Sequence, residues 1–172
     1  MSAKEGKTKV LIREYLLDGG LFRENINDPK LDFGFQFAFP KGTTPDGRQV
    51  GKNFAVVKPK NKDLIQISCG TQISAEHVKK LNSLPGKGKL KFFKDIQKVF
   101  FLKEVYFSLD AKNHRYNVSD TIFLKKDGSV SKNAFYRSVR KIFGVVMYSV
   151  FVLEEHCSSE PSGIDLDDFK MF

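Results

Sequence analysis

One stretch limits the possible folds more than any other, LDFGFQFAFP at residues 31–40. Its apolar residues alternate with small or polar ones: Leu31, Phe33, Phe35, Phe37 and Phe39. Successive side chains of a β-strand point to opposite faces, so this spacing predicts a strand with one apolar face that Pro40 ends. We expect helices to cover that face and make the phenylalanines core. The alternative is an exposed surface on which bases or peptide side chains stack.

Four further segments also have the composition of strands. Two are joined by a short polar turn, and the other two form a β-hairpin. They are NFAVVKP (53–59), DLIQISC (63–69), VYFSLD (105–110) and RYNVSDTIFLKK (115–126). Because the loops between consecutive strands are short, the sheet is expected to be antiparallel.

Four segments follow a helical spacing of apolar residues. They cover residues 7–20, 74–84, 90–104 and 132–155, with Ser74 and Ser131 as N-caps of the second and fourth. The first is expected to bury Val10, Leu11, Tyr15 and Leu17. The order α-β-β-β-α-α-β-β-α predicts an α+β fold with an antiparallel sheet of about five strands, helices on one face and a long C-terminal helix.

Charge divides the chain into two parts. The 172 residues carry a net charge of +9, but from Ser158 onward there are four acids and one base, or −3, which leaves +12 on residues 1–157. We therefore expect a single basic domain over residues 1–157 and a flexible acidic tail over 158–172. The N-terminus has no apolar signal segment, and the apolar run at 142–153 is too short to span a bilayer. These features favour a cytoplasmic protein that contacts no membrane.

Residues that commonly carry catalysis are scattered. His77, His114 and His156 each lie apart from carboxylates and thiols at metal-ligand spacing, and Cys69 and Cys157 lie in unlike contexts. No glycine-rich segment has the spacing of a phosphate-binding loop. The chain is predicted to be a non-catalytic binding protein without a cofactor or a metal.

Basic residues form two clusters along the chain. The predicted nucleic-acid-binding residues are Arg48, Lys52, Lys58, Lys60 and Lys62 around the first strand loops, and Lys125, Lys126, Tyr136, Arg137, Arg140 and Lys141 at the last turn and on the long helix. Lysine and arginine neutralise phosphates while aromatic rings stack on bases, so the leading prediction is a partner of single-stranded DNA or RNA. The alternatives are a peptide-binding module and a solvated basic surface.

Three segments carry a family resemblance: IREYLLDGGLF, NFAVVKPKNKDLIQIS and KKDGSVSKNAFYRSVRKIF. Over residues 8–155 the chain resembles small uncharacterised archaeal and bacterial proteins with a secretion-chaperone-like fold, which implies the peptide-binding alternative. Its size, its basic phenylalanine-rich body and its long last helix are also similar to the ThermoDBP-related proteins of archaea. That second likeness implies single-stranded nucleic acid held in an apolar cleft with basic rims.

The tail ends in acidic residues interleaved with apolar ones. They are Ile164, Asp165, Leu166, Asp167, Asp168, Phe169 and Phe172. The pattern resembles the acidic tips of bacterial and phage single-stranded DNA-binding proteins, which recruit other proteins and shield a basic cleft. It predicts a partner-binding tail; the alternatives are docking on the chain's own body and simple disorder.

The long last helix also indicates self-association. The segment VVMYSV at residues 145–150 is apolar around nearly the whole helix, which is more apolar surface than one chain of this size is expected to bury. We therefore expect a homodimer.

The charge of residues 1–157 generates a first prediction. If residues 1–157 bind single strands electrostatically, the logarithm of the affinity will fall linearly with the logarithm of the salt concentration. Each phosphate neutralised is expected to add about −0.7 to the slope of that line. Fluorescence anisotropy of a labelled oligonucleotide measures this slope. A slope near zero, or no binding at low salt, contradicts the nucleic-acid prediction.

Overall fold

A computed structural model describes residues 3–43, 45–47 and 51–158, with side chains from residue 6 onward. The elements in this part of the chain are α1 (Ala3–Asp18), β1 (Phe22–Asn25), β2 (Leu31–Phe39), β3 (Lys52–Pro59), β4 (Leu64–Gln72), α2 (Ala75–Ser83), α3 (Gly88–Leu102), β5 (Tyr106–Asp110), β6 (Arg115–Phe123) and α4 (Lys132–Cys157). The strands form one sheet in the order β1-β2-β3-β4-β6-β5, with every neighbouring pair antiparallel. Within the described ranges, every helix falls short of what a bilayer-crossing segment requires.

The α+β fold with an antiparallel sheet and a long last helix is confirmed, but the expected count of five strands is wrong. The sheet has six strands, and the strand that was missed is β1. Its sequence FREN has one apolar residue and no alternation. Pairing of Phe22 with Phe37 and of Asn25 with Phe35 holds it against β2, so neighbours distant in sequence make this segment a strand.

The phenylalanines of β2 are core, as predicted. Phe33, Phe35 and Phe37 are buried, and Phe37 lies 5.2 Å from Phe54 of β3 and 6.0 Å from Phe135 of α4 between ring centroids. Aromatic pairs at this separation add to the burial of apolar area. The rings therefore bind the sheet to its helices and are not a stacking platform.

The first helix buries a different face from the expected one. Val10 and Leu17 are exposed, whereas Thr8, Ile12 and Leu16 are fully buried. Thr8 Oγ1 donates to the carbonyl of Gly128 at 2.6 Å, and the Tyr15 hydroxyl donates to the carbonyl of Val130 at 2.9 Å. These contacts with the loop before α4 orient the helix, and the apolar spacing alone does not reveal them.

Both predicted N-caps are confirmed. The Ser74 side chain accepts from the backbone N–H of His77 at 3.3 Å, and that of Ser131 accepts from Ala134 at 3.1 Å. The long helix α4 then packs along the sheet, where the hydroxyls of Tyr116 in β6 and Ser149 are 2.6 Å apart in the core. Helix α4 contacts the sheet face that carries Phe37 and Tyr116, and no helix of the described residues packs on the other face.

The helix-free face is less open than its small residues indicate. Gln36 is exposed, but Gly34 and Ala38 are buried. A side chain on Gly34 would come within 2.8 Å of Ile26, which follows β1 and lies over it. Next to β1, this face is therefore partly covered.

The core position of Phe37 predicts a large loss of stability on truncation. Phe37→Ala is expected to lower the free energy of unfolding by about 3–5 kcal/mol. Phe123→Ala removes the same atoms from an exposed ring and is expected to change it by about 0.5 kcal/mol or less. Urea unfolding followed by circular dichroism measures both; equal losses would contradict the assignment of β2 to the core.

Candidate functional site

One stretch of β6 has no neighbour on one side. Strand β4 pairs with β6 along its whole length, from Leu64 opposite Phe123 to Gln72 opposite Arg115. Strand β5 pairs only with the first part, up to Tyr106 opposite Ser119. Residues 120–123 are therefore an open sheet edge, in line with β5 and beyond its end.

The backbone groups that face this opening can be identified from the alternation of the ladder. The N–H of Leu124 donates to Asp63 at 2.9 Å, and the carbonyl of His114 accepts from Ile73 at 2.9 Å, so even-numbered residues of β6 face β4. Thr121 and Phe123 consequently direct their N–H and C=O groups to the open side. Nothing in the described part of the chain hydrogen-bonds to them there.

The connection from α3 to β5 leaves the edge open. Glu104 has a φ of 52°, and the N–H of Val105 donates to the carbonyl of Phe100 at 3.2 Å. This turn keeps the chain against the end of α3 and releases it into the sheet only at Tyr106. The strand β5 therefore begins too late to cover the end of β6.

A groove of about 560 Å³ lies along this open edge. Its walls carry three aromatic side chains that are largely in solvent, Phe101 (67% exposed), Tyr106 (66%) and Phe123 (78%). Large exposed apolar groups clustered in one place are typical of interaction sites. We call this groove, with the open edge of residues 120–123, the β6 edge groove.

The β6 edge groove offers rings on both faces of the sheet. On the helix side, Phe101 packs edge-on against Phe107 with centroids 5.1 Å apart. On the helix-free side lie Tyr106 and Phe123, which alternate with the core-facing residues of their strands. A strand added here would place its alternate side chains against apolar rings on either face.

Two carboxylates line the groove, Asp120 and Glu104. The oxygens of Asp120 accept from Lys141 at 3.1 Å and from Ser138 at 2.8 Å, whereas Glu104 is exposed. The lining itself is therefore not basic, and attraction for an acidic ligand rests on the net charge of +12 over residues 1–157.

The fold also collects lysines at one end of the sheet. The backbone of Lys60 bonds to that of Lys30 at 3.0 Å, and Leu124, next to Lys125, bonds to Asp63 at 2.9 Å. Five exposed lysines thus lie on neighbouring loops: Lys30, Lys60, Lys62, Lys125 and Lys126. We call them the lysine rim. Four of them were predicted in two separate clusters, and the structure brings these together.

Other predicted residues are held by structural contacts. Lys58 is 4% exposed and forms an ion pair with Asp32, so it is not accessible to a phosphate. The Tyr136 hydroxyl donates to the carbonyl of Tyr15 at 2.6 Å, and Lys141 is paired with Asp120. Including Lys58 in the nucleic-acid surface was therefore wrong, because the strand register places it on the buried face opposite Phe33.

The remaining predicted residues are divided among other places. Lys52 is half-buried at the start of β3, and Arg137 and Arg140 are exposed on the outer face of α4, away from the lysine rim. Arg48 and the tail residues Ile164, Asp165, Leu166, Asp167, Asp168, Phe169 and Phe172 lie outside the described residues. Their proposed roles stay predictions.

The thiol in the sheet is not poised for chemistry. Burial raises the pKa of Cys69 to about 11, so the thiol is protonated at neutral pH. Among the described residues, no group of three histidines, cysteines and carboxylates is placed to hold a metal ion.

The aromatic residues of the β6 edge groove were not predicted as a site. The segment VFFLKEVYF at 99–107 contains the signal. One helix face can bury Phe100 but not the adjacent Phe101 and Leu102 as well, since consecutive residues lie about 100° apart. An excess of apolar residues at a helix–strand junction was therefore the available indication.

Comparison with known proteins gives a family and two similar structures. Residues 8–153 match the family model described as an uncharacterized conserved protein, DUF2299. No curated protein matches the sequence. The crystal structure of an uncharacterized protein from Methanothermobacter thermautotrophicus has a TM-score of 0.74 and 21% identity, covering 88% of this chain and 99% of that one. A chain of the ExsC–ExsE complex has a TM-score of 0.51 and 9% identity, covering 93% and 100%.

These similarities establish the fold and not the activity. The likeness to secretion-chaperone-like domains, expected from the sequence, is supported at the level of the fold. The likeness to ThermoDBP-related proteins has no such support and stays a prediction.

The burial of Lys58 predicts a structural effect of its removal. Lys58→Ala leaves the Asp32 carboxylate buried without its partner and is expected to cost about 3–5 kcal/mol of unfolding free energy. The matched change at the exposed neighbour, Lys60→Ala, is expected to cost about 0.5 kcal/mol or less. Thermal unfolding of both variants checks this. A stable Lys58→Ala protein with weakened binding of single-stranded nucleic acid would show that Lys58 contacts that ligand.

Proposed function

This chain belongs to the DUF2299 family of uncharacterized conserved proteins, and for this member we propose the function of a non-catalytic module that binds an extended segment of another protein. The segment adds to the sheet as a strand along residues 120–123 of β6. The observation that carries the proposal is the open edge, flanked by exposed rings on both faces.

Strand addition matches what the groove supplies. Main-chain hydrogen bonds to Thr121 and Phe123 provide affinity that does not depend on the ligand's sequence, and pockets for alternate side chains provide selectivity. An unpaired edge with exposed apolar rings also carries a risk of aggregation unless it has a binding role. The groove is in line with β5, so an added strand would continue that edge of the sheet.

The groove favours a particular ligand chemistry. Tyr106 and Phe123 lie on the helix-free side and would contact apolar side chains at alternate positions of the added strand, while the net charge of +12 on residues 1–157 favours an acidic segment. We infer that the preferred segment alternates apolar residues with aspartate or glutamate and contains no proline where a strand hydrogen bond is needed. The fold likeness to a chain of a two-protein complex, ExsC–ExsE, supports a protein partner.

A second candidate rests on the lysine rim. Five exposed lysines at one end of the sheet, with the exposed ring of Phe123 close by in sequence, are the composition of a site for single-stranded nucleic acid. The rim would take phosphates at the end of the sheet, whereas a peptide would lie along the β6 edge groove. A steep salt dependence that charge reversal at Lys62 and Lys126 removes would favour this candidate.

The alternation of β6 allows a sharp test of strand addition. The probe is a fluorescein-labelled peptide in which valine alternates with aspartate, and its control has central proline residues. Thr121→Pro removes an N–H that faces the open side, so the protein is expected to fold and to lose about tenfold in affinity, or about 1.4 kcal/mol. Fluorescence anisotropy measures the binding, and circular dichroism the fold.

The neighbouring position is the matched control. The N–H of Ile122 faces β4, so Ile122→Pro is expected to break the ladder and destabilise the whole protein. Strand addition is overturned if the natural chain does not bind the alternating peptide, or if Thr121→Pro binds it as well as the natural chain does.

A further inference from the structure

The outer face of α4 carries a continuous exposed stripe. Its members recur at the spacing of one helix face: Arg137, Arg140, Gly144, Tyr148 and Phe151. Tyr148 and Phe151 are 50% and 52% exposed. The stripe belongs neither to the β6 edge groove nor to the lysine rim.

Gly144 has no structural role within the described chain. It lies in the interior of a helix of 26 residues, where glycine is less favourable than alanine by about 1 kcal/mol. A Cβ atom at this position would meet no other atom within 4 Å. A glycine that costs helix stability and faces open space is explained if another backbone approaches it closely.

A groove of about 570 Å³ opens at this glycine. It runs between the end of α3 and α4, and its lining includes Val99, Leu102, Lys103, Arg140 and Tyr148. Leu102 is 81% exposed, the most exposed of the large apolar residues in the described chain. The groove thus combines a close-approach point with unburied apolar surface.

The stripe is complementary to itself when reversed. Its N-terminal half is basic, with Arg137 and Arg140, and its C-terminal half is aromatic, with Tyr148 and Phe151. In an antiparallel pair of helices that cross at Gly144, Tyr148 of one copy lies opposite Arg140 of the other. Phe151 likewise lies opposite Arg137, since the positions are equally far from the centre. Guanidinium groups over aromatic rings attract each other.

We propose that two copies of this chain associate through α4, with their helices antiparallel and crossing at Gly144. One patch that fits a copy of itself is the requirement for a two-fold interface. The association uses the helix side of the molecule and is independent of the proposed strand addition. Its groove adjoins the β6 edge groove, because Lys141 lines the first and bonds to Asp120, which lines the second.

Adding a side chain at the crossing point tests the interface. The natural chain is expected to have twice the mass of a single chain, which is 19.6 kDa, and Gly144→Leu is expected to have the mass of a single chain. Light scattering over a concentration series measures both masses. Because leucine is a better helix former and points into open space, the variant is expected to remain folded. Lys79→Leu, at an exposed position of α2, is the matched control and is expected to remain dimeric.

A second variant keeps the test decisive if Gly144→Leu does not fold. Arg140→Glu removes the cation opposite Tyr148 and is expected to shift the protein to a monomer, whereas Lys79→Glu is expected not to. A natural chain that is monomeric throughout the series overturns the proposal. A dimer that persists in the folded Gly144→Leu protein also overturns it. If Gly144→Leu does not fold, a dimer that persists in Arg140→Glu overturns it instead.

Crosslinking locates the crossing point. Gly144→Cys in a Cys157→Ala background is expected to form an intermolecular disulfide on mild oxidation, because a disulfide needs Cα atoms within about 7 Å. Lys79→Cys in the same background is expected to form none, and Cys69 is buried. A dimeric mass without this crosslink would overturn the placement of the two-fold axis at Gly144.

Discussion

The contact between the phenylalanine face of the sheet and the last helix is the interaction on which the rest of the structure depends. Phe37 stacks on Phe54 within the sheet and meets Phe135 across the layer, and Phe135 in turn contacts Tyr15 of α1 at 6.1 Å. Aromatic side chains bury large areas, and one continuous cluster joins both layers. Because the helices of the described ranges pack on this side, the opposite face and the edge of β6 are left for other contacts.

The β6 edge groove follows from how the helix layer is connected to the sheet. The turn at Glu104 holds the chain against α3, so β5 starts four residues short of the end of β6. The rings that α3 cannot bury, Phe101 above all, then lie beside the open edge. An unpaired backbone and unburied rings thus have a common origin in one short connection, and this coincidence supports a protein-binding role over a purely electrostatic one.

The three proposed surfaces are made by different elements. The lysine rim lies on loops at one end of the sheet, the β6 edge groove lies along its side, and the stripe lies on the outer face of α4. The groove beside α4 adjoins the β6 edge groove, because Lys141 lines the first and bonds to Asp120, which lines the second. The strong positive charge of residues 1–157 raises the rate of encounter with acidic partners of any class, so charge alone does not identify the ligand.

The sequence by itself determined the elements with strong local patterns. The alternation of β2 specified a strand with a buried face, and Ser74 and Ser131 specified two helix starts, because side-chain periodicity and capping act over a few residues. Only the tertiary structure decided the rest. Strand β1 exists through pairing with β2, Lys58 is buried by the strand register, and the open edge arises where two strands of unequal length meet. Pairing and register join residues far apart in sequence, and no local pattern encodes which backbone groups they leave unpaired.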